Sequence, residues 1–275
     1  MSFDDRRRNV RSLLFFLVAL LGTVVITFVG SFAGAADRDE VALGPRYTPT
    51  AADRALPPAP HARPGPRVAL TFDDGPSPQL TPYILDVLAA KRVRATFFLQ
   101  GNHAAAHPEL VRRVQAEGHV VANHGWQHPW FPDLTPQEAE LEIQRTNQVL
   151  TELTGARPTL FRYPFGEPSP GGDAALARLG MAGGILWKWT SDRRGDFECP
   201  GADGVVDYLM TEATDQAMIL LHDAGDAVGC PPAQLEYLPR AIDALRARGF
   251  TFGVVAPSSV PSALNQGSPA AVVPW

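Results

Sequence analysis

Seven short apolar runs alternate with stretches of helical periodicity between residues 67 and 256. Such an alternation is typical of strands and helices that build a parallel sheet, and seven strands favour a closed or nearly closed barrel. We therefore predict an α/β fold, a distorted (β/α) barrel with about seven parallel strands; an open doubly wound sheet is the alternative. The apolar runs cover residues 68–72, 95–99, 119–122, 159–161, 184–189, 217–221 and 250–254.

Capping residues mark several of the predicted helices. Thr135 precedes Pro136, Glu138 follows at the third helical position, and Gly155 ends the periodic stretch. This combination is a capping box followed by a glycine stop. The stretches "HPELVRRVQAEG" and "PRAIDALRARG" are amphipathic and also end at glycine, so we predict helices there.

The N-terminal 35 residues do not resemble the rest of the chain. Four arginines within residues 6–11 precede an apolar run over 12–30, which is long enough to span a bilayer as a helix. The arginines place the N-terminal end in the cytoplasm and the following chain outside it. We interpret residues 1–35 as a membrane anchor, with a cleaved signal peptide as the alternative. In both cases the body of the protein is exported.

Two further regions lack regular periodicity. Residues 36–66 are rich in Pro and Ala and predict an extended tether, and residues 257–275 predict an irregular tail. The domain between them, 67–256, therefore carries the function. The formal net charge of -5 provides no basic surface for nucleic acid, so a nucleic-acid partner is not expected.

The chain contains two cysteines, Cys199 and Cys230, and both lie in Gly- and Pro-rich segments. In an exported protein an even pair predicts a disulfide, because the compartment is oxidising. Two buried free thiols are the alternative. A metal site built from these two residues alone is not expected.

Ionisable or polar residues follow five of the predicted strands. Parallel barrels place their chemistry at the carboxyl ends of the strands, so these residues are expected to share one rim. A loop that merely faces solvent would show such a residue once or twice by chance. The residues are Asp73 and Asp74, Asn123 and His124, Arg162, Asp192, and His222 with Asp223.

His124 and His128 are four residues apart, and one helical turn would bring both imidazoles to the same side. With a carboxylate they form a two-histidine, one-carboxylate set that holds a divalent metal and leaves positions open. Asp73 and Asp74 could divide two roles if the chain turns at Gly75, one binding the metal and the other accepting a proton. An ordinary Asp-Gly-Pro turn is the alternative.

The motifs "TFDDGP", "NHGWQHP", "FRYPFG" and "LLHD" occur in the order and spacing of the polysaccharide deacetylases, which share the NodB-homology domain of carbohydrate esterase family 4. "ATFFLQGNH" is also similar to the second strand of that family. The resemblance spans residues 67–255. It implies a metal-dependent hydrolase, with zinc as the expected ion, that removes N-acetyl groups from an extracellular polysaccharide of N-acetylglucosamine type.

The resemblance also implies a role for each matched residue. Asp74, His124 and His128 are expected to bind the metal, and Asp73 to act as catalytic base. His222 is expected to act as general acid. The remaining expected roles belong to Arg162, which holds the base, to the backbone amide of Tyr163, which binds the oxyanion, and to Asp192, which orients His222, with Asp196 as the alternative.

The sequence departs from the family pattern at two places. Gly125 follows the first metal histidine, where the family usually has Ser or Thr, and "TSDRRGDF" contains Gly195 as an apparent insertion. Both changes affect the expected substrate preference more than the reaction. Trp126, between the metal histidines, is expected to contact substrate, whereas Trp187 and Trp189 are interpreted as core residues.

Three functions are compatible with these observations. The first is the deacetylase, acting on peptidoglycan or a chitin-like polymer beside the cell membrane as a single-pass protein, or as a secreted one. The second is a non-catalytic glycan-binding module on the same fold. The third is an amidohydrolase that acts on a small amide. The complete set of base, metal and acid residues favours the first function.

Overall fold

The computed structural model describes residues 44–56, 65–257 and 270–274. The strands are β1 (Arg67–Asp73), β2 (Thr96–Leu99), β3 (Val120–Asn123), β4 (Ala217–His222), β5 (Thr251–Pro257) and β6 (Ala270–Val273). The helices are α1 (Ala51–Arg54), α2 (Thr81–Lys91), α3 (Gly101–Ala106), α4 (Pro108–Ala116), α5 (Pro136–Thr154), α6 (Pro170–Leu179), α7 (Gly201–Glu212) and α8 (Tyr237–Ala247). The α/β class predicted from the sequence is confirmed.

Strand β1 is the centre of the sheet. It pairs in parallel with β4 over its length, with β2 through residues 71–73 and with β5 through residues 67–69. β3 pairs in parallel with β2. The carboxyl ends of β1 to β4 therefore lie at one edge of the sheet, as predicted for the polar rim.

The closed barrel of about seven parallel strands is not observed in the described part of the chain. Residues 159–161 form only isolated bridges, in which Phe161 pairs with Asn123 and Leu160 with Ala182. Residues 184–189 form no strand, since Ile185 and Lys188 make only single backbone bonds, to the carbonyls of Phe161 and Met218 at 3.5 and 2.9 Å, and Gly184 at the start of the run has a positive φ of 65°. The strand β6 is also antiparallel to β5, so the sheet is mixed.

Helices cover the sheet where the sequence predicted them. The capping box of α5 is present, with the Thr135 hydroxyl accepting from the Glu138 N–H and the Glu138 carboxylate accepting from the Thr135 N–H. α4 and α8 occupy the two further amphipathic stretches. The largest hydrophobic core packs β1, β2 and β4 against α2, α7 and α8, and a smaller core packs α5 against α6.

Part of the predicted tether is structured. Residues 44–56 contain α1, and Asp53 of that helix lies 2.6 Å from the ammonium group of Lys91 on α2. Both side chains are buried, so this segment docks on the domain instead of extending from it. The Pro/Ala-rich composition indicated an extended chain, but composition does not show that Asp53 pairs with the buried Lys91 of α2.

The predicted irregular tail over 257–275 also contains structure, since β6 pairs with β5. Val272 is buried there among apolar side chains of the sheet. The predicted membrane segment within 1–35 lies outside the described residues. Within the ranges that the structure describes, no helix is long and apolar enough to cross a bilayer.

Candidate active site

Most of the predicted rim residues converge at the carboxyl edge of the sheet. β1 ends at Asp73 and β4 at His222, and these two residues are partners in the parallel register. His124 follows β3 directly. Arg162 follows the bridge between Phe161 and Asn123, so it also reaches this edge.

The two adjacent aspartates point to different partners because the backbone changes conformation between them. Asp73 is the last residue of β1, whereas Asp74 has a positive φ of 74°. A Cβ atom at Gly225 would lie 2.4 Å from an Asp74 carboxylate oxygen, so glycine is required beside it. The predicted turn therefore begins at Asp74 itself, one residue before Gly75.

Asp74, His124 and His128 form the predicted ligand set. Their ligand atoms lie within 4.8 Å of one another. The Asp74 Oδ1 atom is 3.5 Å from Nε2 of His124 and 3.3 Å from Nε2 of His128. One carboxylate and two imidazoles suit a divalent cation and leave positions open for water and substrate.

Neighbouring groups orient these ligands. The His124 Nδ1–H donates to the Arg162 carbonyl at 2.8 Å, which leaves Nε2 free to bind a cation. The Gln100 amide donates to Asp74 Oδ1 at 3.0 Å. Burial alone would raise the pKa of Asp74, but the hydrogen bond and charge of His124 hold that pKa below its ordinary value. The carboxylate is therefore ionised, as a ligand must be.

The loop that carries both histidines is fixed through its backbone. The Glu142 carboxylate of α5 accepts from the N–H groups of Trp126 and Gln127 at 2.7 and 3.0 Å. The first N–H groups of α3 donate to the carbonyls of Gly125 and Trp126 at 2.9 and 3.1 Å. These bonds hold the loop without the hydroxyl that Gly125 lacks.

Trp126 is not among the residues that line the cleft, and its expected contact with substrate stays a prediction. Its ring packs against α3 at Gly101, where an added Cβ would lie 2.3 Å from it. The Arg145 guanidinium lies over the other ring face, 4.2 Å from the ring centroid. The ring contacts and the bond from its N–H to Glu142 together attach Trp126 to α3 and α5.

The predicted base is held by a buried arginine. Arg162 Nη1 donates to Asp73 Oδ1 at 2.6 Å and to the Thr71 hydroxyl at 2.8 Å. Its Nε donates to the Ile185 carbonyl at 3.1 Å. Asp73 Oδ2 remains directed toward the ligand set, 3.7 Å from Nε2 of His124. One carboxylate oxygen is thus fixed and the other faces the cation site.

The partner of His222 is Asp196, and the expectation of Asp192 is wrong. The Asp196 carboxylate accepts from the His222 N–H at 2.7 Å and from Nδ1–H at 2.8 Å. Asp196 is buried, whereas Asp192 lies in an exposed bend. The residues just before Asp192 are bonded to α7, since the Glu212 carboxylate accepts from the N–H groups of residues 190 and 191 at 3.0 Å.

Asp196 changes the acidity of His222. Burial alone would lower the pKa of His222, but the charge and hydrogen bond of Asp196 raise it to about 9. The ring is therefore protonated at neutral pH, with Nε2–H left to donate into the cleft. The predicted disulfide is also confirmed, since Cys199, three residues after Asp196, is bonded to Cys230.

A cleft of about 680 Å³ contains the ligand set, the base and His222. Aromatic rings lie beside both histidine groups: Phe165 is 4.4 Å from His128 and Phe197 is 5.1 Å from His222, between ring centroids. Trp187 and Trp189, interpreted from the sequence as core, line this cleft together with Tyr163. Such rings offer flat apolar surfaces for a sugar.

Comparisons with known proteins agree with this site. Residues 61–184 match the family model for polysaccharide deacetylase. A chitooligosaccharide deacetylase from Rhizobium leguminosarum bv. trifolii is 40% identical over 197 residues, which cover 67% of this chain and 87% of that protein. The chain belongs to the polysaccharide deacetylase family.

Other members of the family extend the comparison. The peptidoglycan-N-acetylglucosamine deacetylase PgdA of Listeria monocytogenes is 32% identical over 75% of this chain, which corresponds to 41% of PgdA. The structure of a family 4 carbohydrate esterase from Streptomyces lividans, solved with acetate, superposes with a TM-score of 0.65 at 32% identity. That match covers 78% of this polysaccharide deacetylase and all of the esterase.

Sequence reasoning missed two residues that orient the ligands of this deacetylase. Gln100 directly follows β2, so the rule that placed Asp74 and His124 at the strand ends could have found it. Glu142 offers no such signal, because it lies within a long amphipathic helix and resembles the other surface glutamates of α5. The pairing of His222 with Asp196 was left as the second alternative, since the insertion at Gly195 obscured the spacing.

Proposed function

We propose that this polysaccharide deacetylase is a metal-dependent hydrolase that removes N-acetyl groups from an extracellular polysaccharide of N-acetylglucosamine type. The observation that carries the proposal is that one cleft contains the ligand set, Asp73 and His222. The names of its relatives, which act on chitooligosaccharides or peptidoglycan, support this substrate class. The rings of Phe165, Trp187 and Trp189 support binding of a sugar polymer.

Asp74, His124 and His128 would hold the ion, for which zinc fits the donor set. When bound, that ion polarises the acetamide carbonyl and makes a water molecule more acidic. Asp73 accepts a proton from the attacking water through Oδ2, because Oδ1 is occupied by Arg162. Arg162 thus holds the base in place.

The leaving amine has to be protonated before the C–N bond breaks, and His222 is the residue that can supply this proton. Its Nδ1 is bonded to Asp196, so Nε2–H is the donor. The backbone N–H of Tyr163 is proposed to stabilise the oxyanion, an interaction worth about 3–4 kcal/mol for a well-placed donor. Tyr163 lines the cleft, which supports this role.

The deciding experiment is acetate release from chitin oligomers and from purified peptidoglycan, with and without a chelator. We expect release from at least one polymer, loss of release with chelator, and recovery when Zn²⁺ is added. The Asp73→Asn variant should bind the same polymers without releasing acetate. Polymer binding without release by the metal-loaded protein would favour a glycan-binding module, and release only from a small acetamide would favour the third function.

We also propose that the domain lies outside the cytoplasm, attached to the membrane through the segment 12–30 or secreted after its removal. The arginines and apolar run support this location, and so does the disulfide between Cys199 and Cys230, since disulfides persist in oxidising compartments. Fractionation of expressing cells, combined with protease digestion of intact spheroplasts, tests it. A full-length protein that stays in the cytosolic fraction contradicts the proposal.

A further inference from the structure

Asp196 is the residue on which the acidity of His222 depends, yet it does not belong to a strand or a long helix. It begins a three-residue 3-10 turn, Asp196–Glu198, in the loop between residues 190 and 200. A single turn has few hydrogen bonds of its own to fix a side chain. Other parts of the molecule therefore have to determine where the carboxylate lies.

On one side of Asp196 and His222, packed side chains do not hold the Asp196 carboxylate in place. A cavity of about 240 Å³ borders both Asp196 and His222, separate from the catalytic cleft. Well-packed interiors hold side chains in place by contact on all sides, and a cavity removes those contacts. The groups around this cavity that could hold Asp196 are Cys230 and Gln234.

Both groups contact the carbonyl oxygen of Asp196. The Gln234 Nε2 donates to this oxygen at 2.6 Å, and the Cys230 sulfur lies 3.4 Å from it. Gln234 is itself buried and fixed, because its Oε1 accepts from the Gly201 N–H at 3.1 Å. Cys199 ends the turn and is bonded to Cys230, so the turn is covalently tied to the segment that follows His222.

We infer that the Cys199–Cys230 disulfide and the Gln234 amide are positioning groups for catalysis, which hold Asp196 against His222. Their effect reaches the reaction only through this carboxylate, since neither group lines the catalytic cleft. The inference deepens the proposed function, because it rests on His222 as the proton donor. It assigns to the disulfide a role in turnover in addition to stability.

The consequence is a change in acidity at one identified ring. If the disulfide or the Gln234 bond is removed, Asp196 can move away from His222. The pKa of the His222 ring then falls from its raised value toward its ordinary value of about 6.5. The remaining carboxylates are too distant to form a hydrogen bond that would restore it. The other titratable groups that face His222 are, across the cleft, Asp73, Asp74, His124, His128, Tyr163 and Asp226, and, across the cavity, Tyr237.

The test uses Gln234→Leu and the double variant Cys199→Ala/Cys230→Ala, with Gln148→Leu on the exposed face of α5 as control. We expect each test variant to lower kcat for acetate release about 10-fold at pH 8 while KM and Zn²⁺ affinity stay unchanged. NMR titration of the His222 ring nitrogens should show its pKa falling by about two units, which lowers the protonated fraction about 10-fold at pH 8. The control should match the wild type in every measurement.

An unchanged His222 pKa in both folded test variants overturns the inference, even if their stability falls. A kcat loss that follows a loss of Zn²⁺ affinity also overturns it, because the damage would then lie at the ligand set. The NMR readout does not require turnover. If the wild type releases no acetate but the His222 pKa still falls in the variants, the proposed function is refuted. The role of the disulfide and Gln234 in holding Asp196 is then still supported.

Discussion

The two histidine groups of the cleft lie on either side of β1 and are held in different ways. His124 and His128 share one short loop after β3, and its backbone is bonded to α3 and α5. His222 ends β4 and depends on Asp196, which lies 26 residues earlier in the chain. The disulfide that supports Asp196 connects positions separated by 31 residues.

The two parts of the site are therefore ordered by different contacts. We call the ligands Asp74, His124 and His128 the metal side, and the pair of His222 and Asp196 the acid side. Two of the three metal ligands, His124 and His128, lie on one short loop, so a short motif can encode most of the metal side; Asp74 comes from the end of β1. The acid side needs a loop from before α7 to meet the segment after β4, which depends on the complete tertiary structure. We therefore expect changes on the metal side to abolish cation binding, and changes on the acid side to alter proton transfer while the cation still binds.

Replacing a metal ligand is expected to have the largest effect on Zn²⁺ binding. His128→Ala leaves two ligands, so we expect Zn²⁺ affinity to fall by more than about 100-fold and acetate release to fall to background. A competition titration with a zinc chelator measures the affinity. His107→Ala, which changes a histidine at the start of α4, is the matched control and should behave as wild type. Retained Zn²⁺ affinity in His128→Ala would remove His128 from the ligand set.

Removing the acid breaks the other side. His222→Ala should lower kcat by about 10²–10⁴-fold, because the amine then leaves without a positioned proton donor. Zn²⁺ affinity should stay within about twofold of wild type, since the described ligand set does not include His222. The same titration and acetate assay measure both quantities. Turnover at the wild-type rate would exclude His222 as the acid.

The contrast also explains what sequence reasoning could predict. Five of the seven predicted strands and the predicted caps of α5 are present, because local patterns encode them. The structure also brings Asp74, His124 and His128 together, although residues 124–128 form a bend with a positive φ at His128 and not the helical turn that the spacing suggested. The barrel is not observed because the predicted strands at 159–161 and 184–189 make only isolated backbone pairings, which their apolar composition does not reveal. Asp192 was preferred to Asp196 because spacing alone does not show that Glu212 binds the backbone of residues 190 and 191.

Two other contacts could not be predicted for the same reason. The tether was predicted from composition, yet residues 44–56 dock because Asp53 meets the buried Lys91 of α2. The local sequence at Trp126 also gave no sign that Glu142 binds its N–H and that its ring packs against α3. In each case a partner distant in sequence determines the position, and no local signal identifies it.

Removing the charge of Asp196 tests the acid side through the pH dependence of kcat. Asp196 raises the pKa of His222 to about 9, so the wild-type acid stays protonated up to that pH and kcat should decline above it. Asp196→Asn removes the negative charge, so the pKa of His222 falls and the decline begins at least about one pH unit lower. The pH dependence of kcat for acetate release measures this. Identical alkaline limbs in both proteins would show that His222 does not control this ionisation.

The smallest expected effect tests whether the metal loop is really held from α5. Glu142→Ala removes the acceptor of the Trp126 and Gln127 N–H groups but leaves all three ligands, so Zn²⁺ affinity should fall by about 10-fold. Glu152→Ala, an exposed glutamate on the same helix, is the control and should leave the affinity unchanged. The pH dependence of kcat at saturating Zn²⁺ should remain that of wild type, because the acid side is untouched. An equal affinity in both variants would mean that the contacts with α3 alone are sufficient to order the loop.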